Sequence, residues 1–284
     1  MTPTALPEST CFDVTIEGGV AHIQMSRPSA FNSMNPAFWN ELPQIVRQIN
    51  DQALARCIVI SSTGKHFSAG MELSVFDGAG STGEKTDRHT AMESFRHHVH
   101  HLQDTFTCLD QARMPVLVAI QGGCIGGAVD MVSACDIRYA SMDAWFCIQE
   151  INIGMTADVG TFPRLCGLIP QGWVREMAFT GRRLSAQKAK EIGLVNEVFE
   201  THEALLAHVL ETAREIASKA PLAVTGSKVM INYARDHSIK DSLDYIATWQ
   251  TGMFSGRDMA EAFKAKAEKR DAQFDDLAPI RRSM

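Results

Sequence analysis

Residues 114–135 read MPVLVAIQGGCIGGAVDMVSAC, and the fold turns on whether this run is one membrane helix or several buried pieces. It is mostly apolar and long enough to span a bilayer, and Gly122 and Gly126 even make a G-x-x-x-G. Yet Pro115, Gln121, the paired glycines and Asp130 interrupt it, and an acid in lipid is costly. A buried strand over 115–121, a glycine turn and a buried helix over 127–134 fit the residues better.

The same succession of apolar strand, glycine-containing turn and helix recurs outward from this run. VTIEGGVAHIQM (14–25) reads as a hairpin around Gly18 and Gly19. Residues 36–50 read as a helix and CIVISS (57–62) as a buried strand. GKHFSAGMEL (64–73) is a loop. FDGAGSTGEKTD (76–87) has the Gly, Ser and charge of a mobile surface loop. A helix over 88–112 precedes the central run, and DIRYAS and AWFCIQ follow it as strands. Beyond 160 the reading turns helical, over 160–166, 170–179, 185–192, 202–219, 221–234, 238–253 and 257–269, with Ser185 as an N-cap. The expectation is an α/β core with a helical C-terminal part: a flexible tail over 1–11, the core over 12–200, and helices over 201–284.

Composition narrows the function classes. The 284 residues are 45% hydrophobic and 21% charged, ordinary for a globular chain with a sizeable core. A net charge of -6 argues against a nucleic-acid binder, which needs clustered positive charge. The seven cysteines contain no C-x-x-C pair and are odd in number, which reads as a reduced intracellular protein. MTPTALPEST is neither a secretory signal nor an arginine-rich transit peptide, and RRSM is not S-K-L. The expected location is therefore the cytoplasm, of a bacterial cell.

Two loops leave strands through small residues, GKHFSAG and GGCIGGA. Small residues let a ligand approach the backbone, and N–H groups exposed there, above all at the start of helix 127–134, suit developing negative charge. The plain alternative is tight turn packing. Other motifs fail. Gly64-Lys65 is followed by His66, so there is no phosphate-binding P-loop; GGCIGG has the wrong spacing for a dinucleotide fold; Ser68 lacks a nucleophile-elbow glycine at 66. His89, His97, His98, His100 and His101 crowd one helix without the H-E-x-x-H of a zinc site, and read as a solvated face.

Three acids stand in apolar company. Asp130 lies on the buried helix and needs a partner or a task; an ion pair with Arg138 or Arg164 would supply the partner. Glu150 and Asp158 lie in QEINIGMTADVG (149–160), among isoleucine, methionine, alanine and valine. They read either as a strand-end acid and a helix N-cap, or as a pair of proton carriers in an apolar pocket.

The stretch from FSAG through GGCIGGAVD to GLVNEVF resembles the enoyl-CoA hydratase/isomerase, or crotonase, superfamily, over about residues 12–274. CIGGAVDMVSACDIRYASMDAWFCIQEINIGMTADVGTFPRL and DHSIKDSLDYIATWQ are most similar to the Δ3,5-Δ2,4-dienoyl-CoA isomerases within it. The resemblance implies a crotonase-like fold of repeated ββα units with a C-terminal helical trimerisation region. It implies an oxyanion hole from the N–H groups of Ala69 and Gly127, and catalytic carboxylates at Asp130, Glu150 and Asp158. Coenzyme A contacts are implied at Ala30, in SRPSAFNSM, and at Lys269. Asp130 is a methylene shorter than the hydratase glutamate it matches, and Asp158 stands where hydratases carry a small residue. The implied reaction takes a proton from C2 of a 3,5-dienoyl-CoA and returns one to C6, with Glu150 expected at C2 and Asp158 at C6, or the reverse. No metal or redox cofactor is expected, coenzyme A being part of the substrate. The implied assembly is a homotrimer or a hexamer of two trimers, without nucleic acid or membrane insertion. The alternative is an enoyl-CoA hydratase or another acyl-CoA enzyme of the same fold.

Overall fold

The apolar run resolves into strand, strand and helix: β4 (Val116–Ile120), β5 (Gly123–Ile125) and α3 (Gly127–Ser133). A computed structural model describes residues 6–72, 75 and 87–281. The surface loop expected over 76–87 lies outside them except for Asp87, whose carboxylate accepts from the N–H groups of His89 and Thr90 and caps α2 (Arg88–Gln111). Among the described residues no helix is long and apolar enough to cross a membrane.

A hairpin of β1 (Phe12–Glu17) and β2 (Val20–Met25) opens a six-stranded sheet. It continues through β3 (Cys57–Ser62), β4, β6 (Ile137–Ser141) and β9 (Glu197–Phe199) in the order β1-β2-β3-β4-β6-β9. Every pairing after the hairpin is parallel. Parallel strands are covered on both faces, so their sequences run apolar without alternating. On β3, Ile58 and Ile60 enter the larger core while Cys57 and Val59 face the smaller one. On β4, Val116, Val118 and Ile120 take the first side, and Leu117 and Ala119 the second. Helix α7 (His202–Ala217) closes the smaller side with Leu205, Val209, Ala213 and Ala217. The larger side is packed by α1 (Pro36–Gln52) and α2, whose Phe38, Trp39 and Phe106 rings meet.

The expected glycine turn after β4 contains a strand of its own. Gly122 has φ +54°, and a Cβ there would stand 2.1 Å from the Lys65 carbonyl oxygen. Only glycine turns the chain at this point. The chain then leaves the first sheet and enters a second, β5-β7-β8, with β7 (Trp145–Cys147) parallel and β8 (Leu184–Ser185) antiparallel. The site forms where β5 passes into α3.

Three short helices, α4 (Thr161–Leu168), α5 (Gln171–Thr180) and α6 (Ala186–Glu191), precede the C-terminal series α7, α8 (Pro221–Tyr233), α9 (Ile239–Met253) and α10 (Gly256–Glu268). Buried Lys228 pins α8 by donating to the carbonyls of Leu109 and Met114 and to Asp136 at 2.7 Å. The C-terminal part is not helical throughout. Past α10 the chain returns to the core, where Arg56 bonds the Phe274 carbonyl and Asp276, and the Ile280 N–H donates to Asp51. At the other end Ser9, Thr10 and Cys11 all donate to Glu41 on α1, so these residues of the expected tail are held on the core.

Candidate active site

A cavity of about 990 Å³ opens between the start of α3, the 69–72 loop, α2 and the 149–159 segment. Two backbone segments meet at its floor. The loop after β3 runs beside β5: Ser68 N–H donates to the Gly123 carbonyl and Ile125 N–H to that of Ser68, both at 3.1 Å. Gly70 then takes φ +81°, where a Cβ would sit 2.5 Å from the Ile125 carbonyl oxygen and 3.3 Å from the Gly127 nitrogen. Its bare α-carbon lets the loop touch the start of α3.

This contact corrects one expected donor. Ala69 N–H donates to the Phe31 carbonyl at 3.0 Å and is not available to a ligand. Met34 pairs with the flanking residues of Met71, its N–H donating to Gly70 and its carbonyl accepting from Glu72. The Met71 N–H therefore points away from Met34. A Cβ on Gly127 would lie 3.9 Å from the Met71 nitrogen. Gly127 is the first residue of α3, where helical N–H groups have no intrahelical acceptor. Among the described residues neither the Met71 nor the Gly127 N–H has an acceptor. The converging pair of donors is Met71 and Gly127. Gly70, in the left-handed region between Ala69 and Met71, turns the Ala69 N–H to Phe31 and leaves the Met71 N–H free of that contact.

Glu150 opens a 3-10 turn, Glu150–Ile153, directly after β7. A Cβ on Gly126 would lie 3.1 Å from Glu150 Oε1, so the glycine before α3 admits this carboxylate beside the donor pair. Its Oε2 is buried with no partner. Burial, then the charges of Asp130 and Asp158, push it up to about 7. Asp130, in the first turn of α3, is 1% exposed. Its Oδ1 accepts from Thr161 N–H at the head of α4, at 2.6 Å, and its Oδ2 has no partner. Burial pushes it to about 6, against the Thr161 hydrogen bond that draws it down. Neither expected ion pair forms. Arg138 donates to the carbonyls of Leu194, Val132 and Cys135, and Arg164 to the Thr107 hydroxyl.

Asp158 is the most open of the three and lines the cavity, and partial desolvation lifts its carboxyl above the usual range. It is not a helix cap: Gly160 holds the N-cap position of α4, with no side-chain hydrogen bond. Phe95, Val99 and Leu102 of α2, with Trp39, Met155 and Val159, give the cavity apolar walls.

Ala30 lines the same cavity, next to Phe31. Lys269 does not. It ends α10 at φ +53° and is absent from the cavity wall, so the chain does not bring this expected contact to its own site. Of the histidines, only His98 lines the cavity among the described residues, while His97 bonds Glu93 on the exposed face. Three residues escaped the sequence reading: Met71, Arg183, whose guanidinium stands 3.8 Å over the Trp145 ring, and Gln103, which bonds the Asp158 carbonyl. For Met71 the signal was present, as the residue after the left-handed glycine of FSAGM.

A profile of the family described as enoyl-CoA hydratase/isomerase matches residues 15–277. The chain belongs to the enoyl-CoA hydratase/isomerase family. Among curated relatives it is 42% identical over 257 residues to a mitochondrial Δ3,5-Δ2,4-dienoyl-CoA isomerase of Mus musculus, covering 89% of this chain and 78% of that protein. It is 37% identical over 262 residues to a peroxisomal protein of the same name from Arabidopsis thaliana, covering 92% and 94%. Among solved structures, an enoyl-CoA hydratase from Bacillus anthracis superposes with a TM-score of 0.83 at 31% identity, covering 93% of this chain and 99% of that one. The α/β crotonase fold of the enoyl-CoA hydratase/isomerase family is thus the fold of this chain.

Proposed function

We propose that the protein is a Δ3,5-Δ2,4-dienoyl-CoA isomerase. The observation that carries this reading is the set of three mutually interacting carboxylates around one apolar cavity, beside two convergent backbone N–H groups without acceptors. Relatives of that name support it. In this reading the thioester carbonyl is bound by Met71 and Gly127. Glu150, next to Gly127, takes the proton from C2. The electron pair moves into a dienolate whose oxygen the two donors stabilise, each by about 3 kcal/mol. The double bonds settle at 2,4 as C6 receives a proton from Asp158, and the carbonyl re-forms. Asp130 lines the same cavity, and its charge helps Glu150 keep a proton. Glu150 gives up the proton it took and Asp158 regains one before the next turnover. Substrate and product are isomers with no net redox change, so we assign no metal or redox cofactor, and coenzyme A arrives with the substrate. Ala30 and Phe31 would meet the coenzyme. We extend the reading to a homotrimer or a hexamer, in which Lys269 would serve a neighbouring site. Seven free cysteines, six buried, suit a reducing compartment such as the cytoplasm; the relatives' names place those proteins in mitochondria or peroxisomes.

An enoyl-CoA hydratase is the second reading, favoured by Asp130 and Glu150 flanking the donor pair. Hydration needs no distant second proton carrier, and Asp158 then has no task. The purified protein is given a 3,5-dienoyl-CoA and, separately, a 2-enoyl-CoA, and ultraviolet absorbance is followed. Growth of conjugation with the thioester is expected from the first. In Asp158→Asn, which keeps the shape but carries no proton, turnover falls by about 10²–10⁴-fold, and Glu150→Gln costs a similar factor. Near-normal isomerisation by folded Asp158→Asn would return the chain to the hydratase reading.

A further inference from the structure

Asp158 lies in a segment with no helix or strand, bounded by Gly154 at φ +78° and Gly160 at φ +135°. A proton carrier has to be held within about 0.5 Å of its productive position, and such a segment has no regular hydrogen bonding of its own to do so. No other residue's side chain bonds the Asp158 carboxylate among the described residues; the hold is on its backbone. Gln103, on α2, donates from Nε2 to the Asp158 carbonyl at 2.7 Å. Its Oε1 is engaged by His100 Nδ1 at 3.0 Å, which turns the amide's N–H side toward the loop. One turn further along α2, the Thr107 hydroxyl donates to the Gln103 carbonyl at 2.9 Å and accepts from Arg164 at 3.2 Å. The Arg164 guanidinium fills the space beside Gly160, where a Cβ would stand 1.8 Å from Nη1. Gln103 and Thr107 are four apart and share a helix face. They hold the acid's own backbone and the glycine two residues on.

We infer that Gln103 is a positioning residue of the proposed isomerase. With Thr107 and Arg164 it clamps residues 158–160 to α2, so that the Asp158 carboxylate stays within reach of the far carbon of the diene. The inference rests on the proton-carrier reading of Asp158, and the test separates the two. Gln103→Leu, Asp158→Asn and the double variant are compared for kcat, KM and Tm. Gln103 is half exposed on a helix and leucine is a good helix former, so the fold is kept. Thr107→Val repeats the measurement from the other half of the clamp. In Gln103→Leu, kcat falls by about 10–100-fold, the cost of a small misplacement, with KM and Tm nearly unchanged. In the Asp158→Asn background the same change has no further effect on kcat, since there is no carrier left to place. Exchange of the C2 proton with solvent deuterium persists in Gln103→Leu while product formation slows, because Glu150 is untouched. An undiminished kcat in Gln103→Leu, or an equal loss in the Asp158→Asn background, overturns the clamp alone. Full turnover in Asp158→Asn itself overturns the carrier reading and the clamp with it.

Discussion

Burial holds Glu150 at about 7 and Asp130 at about 6, and the consequences are measurable in both rate and stability. The proposed reaction needs one carboxylate ionised and another protonated. The charge of Asp158 adds to the push on Glu150, and both groups serve the same turnover. With both protonated there is no base; with both ionised there is no acid. The kcat/KM profile is therefore expected to be bell-shaped, with its alkaline limb near pH 7, where Glu150 loses its proton. A profile flat from pH 6 to 9 contradicts this, a range of about three units that would bracket the limb. The stability effect has a definite sign. A carboxyl raised in the folded state holds its proton more tightly folded than unfolded. Its contribution is fully present below the unfolded value of 4.5 and is lost as pH rises through about 7. Glu150→Gln carries no such proton. Its Tm relative to the parent is expected to be higher at about pH 8 than at about pH 5, and equal differences at the two values would show that burial does not perturb Glu150. At this scale the acids were legible, because a carboxylate among isoleucines and glycines is conspicuous. Ala69 was misread as a donor, because which way a backbone N–H points depends on the φ of Gly70, and residue type does not specify its direction.

Element boundaries show the same division between local and distant causes. Strands β3 and β4 were legible because a strand covered on both faces must be apolar throughout, and α3 because its apolar residues follow a glycine pair. Strand β5 was not, because its partners, Trp145–Cys147 and Ser68, lie far along the chain, and GCI carries no periodicity of its own. The β5–α3 junction is the element on which catalysis depends in the proposed reading, and it can be tested by removing one donor. Proline is tolerated at the first position of a helix, where its missing N–H breaks no helical bond. Gly127→Pro is therefore expected to keep α3 while deleting a donor, with turnover down by about 10²–10³-fold. Circular dichroism and Tm report on folding, and a folded variant at full turnover would remove Gly127 from the oxyanion site. Gly70→Ala acts on the other segment. Its Cβ would press on the Ile125 carbonyl at 2.5 Å with φ +81°, so both stability and turnover are expected to fall together.

The whole molecule carries an unequal surface. Helix α9 buries none of its residues. Ile239, 81% exposed, Leu243, 61%, and Ile246 stand at the i, i+4, i+7 spacing of one stripe. Met253 and Phe254 follow α9's course, and α10 adds Met259 and Phe263. Scattered exposed apolar residues are ordinary, but a run of them on two successive helices is the surface that the proposed trimer or hexamer would bury. That places the apolar excess in the helical C-terminal part, where the sequence resemblance puts subunit contacts, next to Lys269 at the end of α10. The mass in solution at micromolar concentration is expected to be that of a trimer or hexamer. Leu243→Lys puts a charge into the centre of the α9 stripe. It should lower the mass toward the monomer and make Tm depend on protein concentration, because association stabilises by mass action. If Lys269 serves a neighbouring site, the same variant also loses affinity for coenzyme A while its own Glu150, Asp158 and donor pair remain in place. KM then rises more than kcat falls. A parent protein that is monomeric at these concentrations, or a Leu243→Lys variant with unchanged mass, would show that α9 is not the contact and would leave its exposed stripe without a structural role.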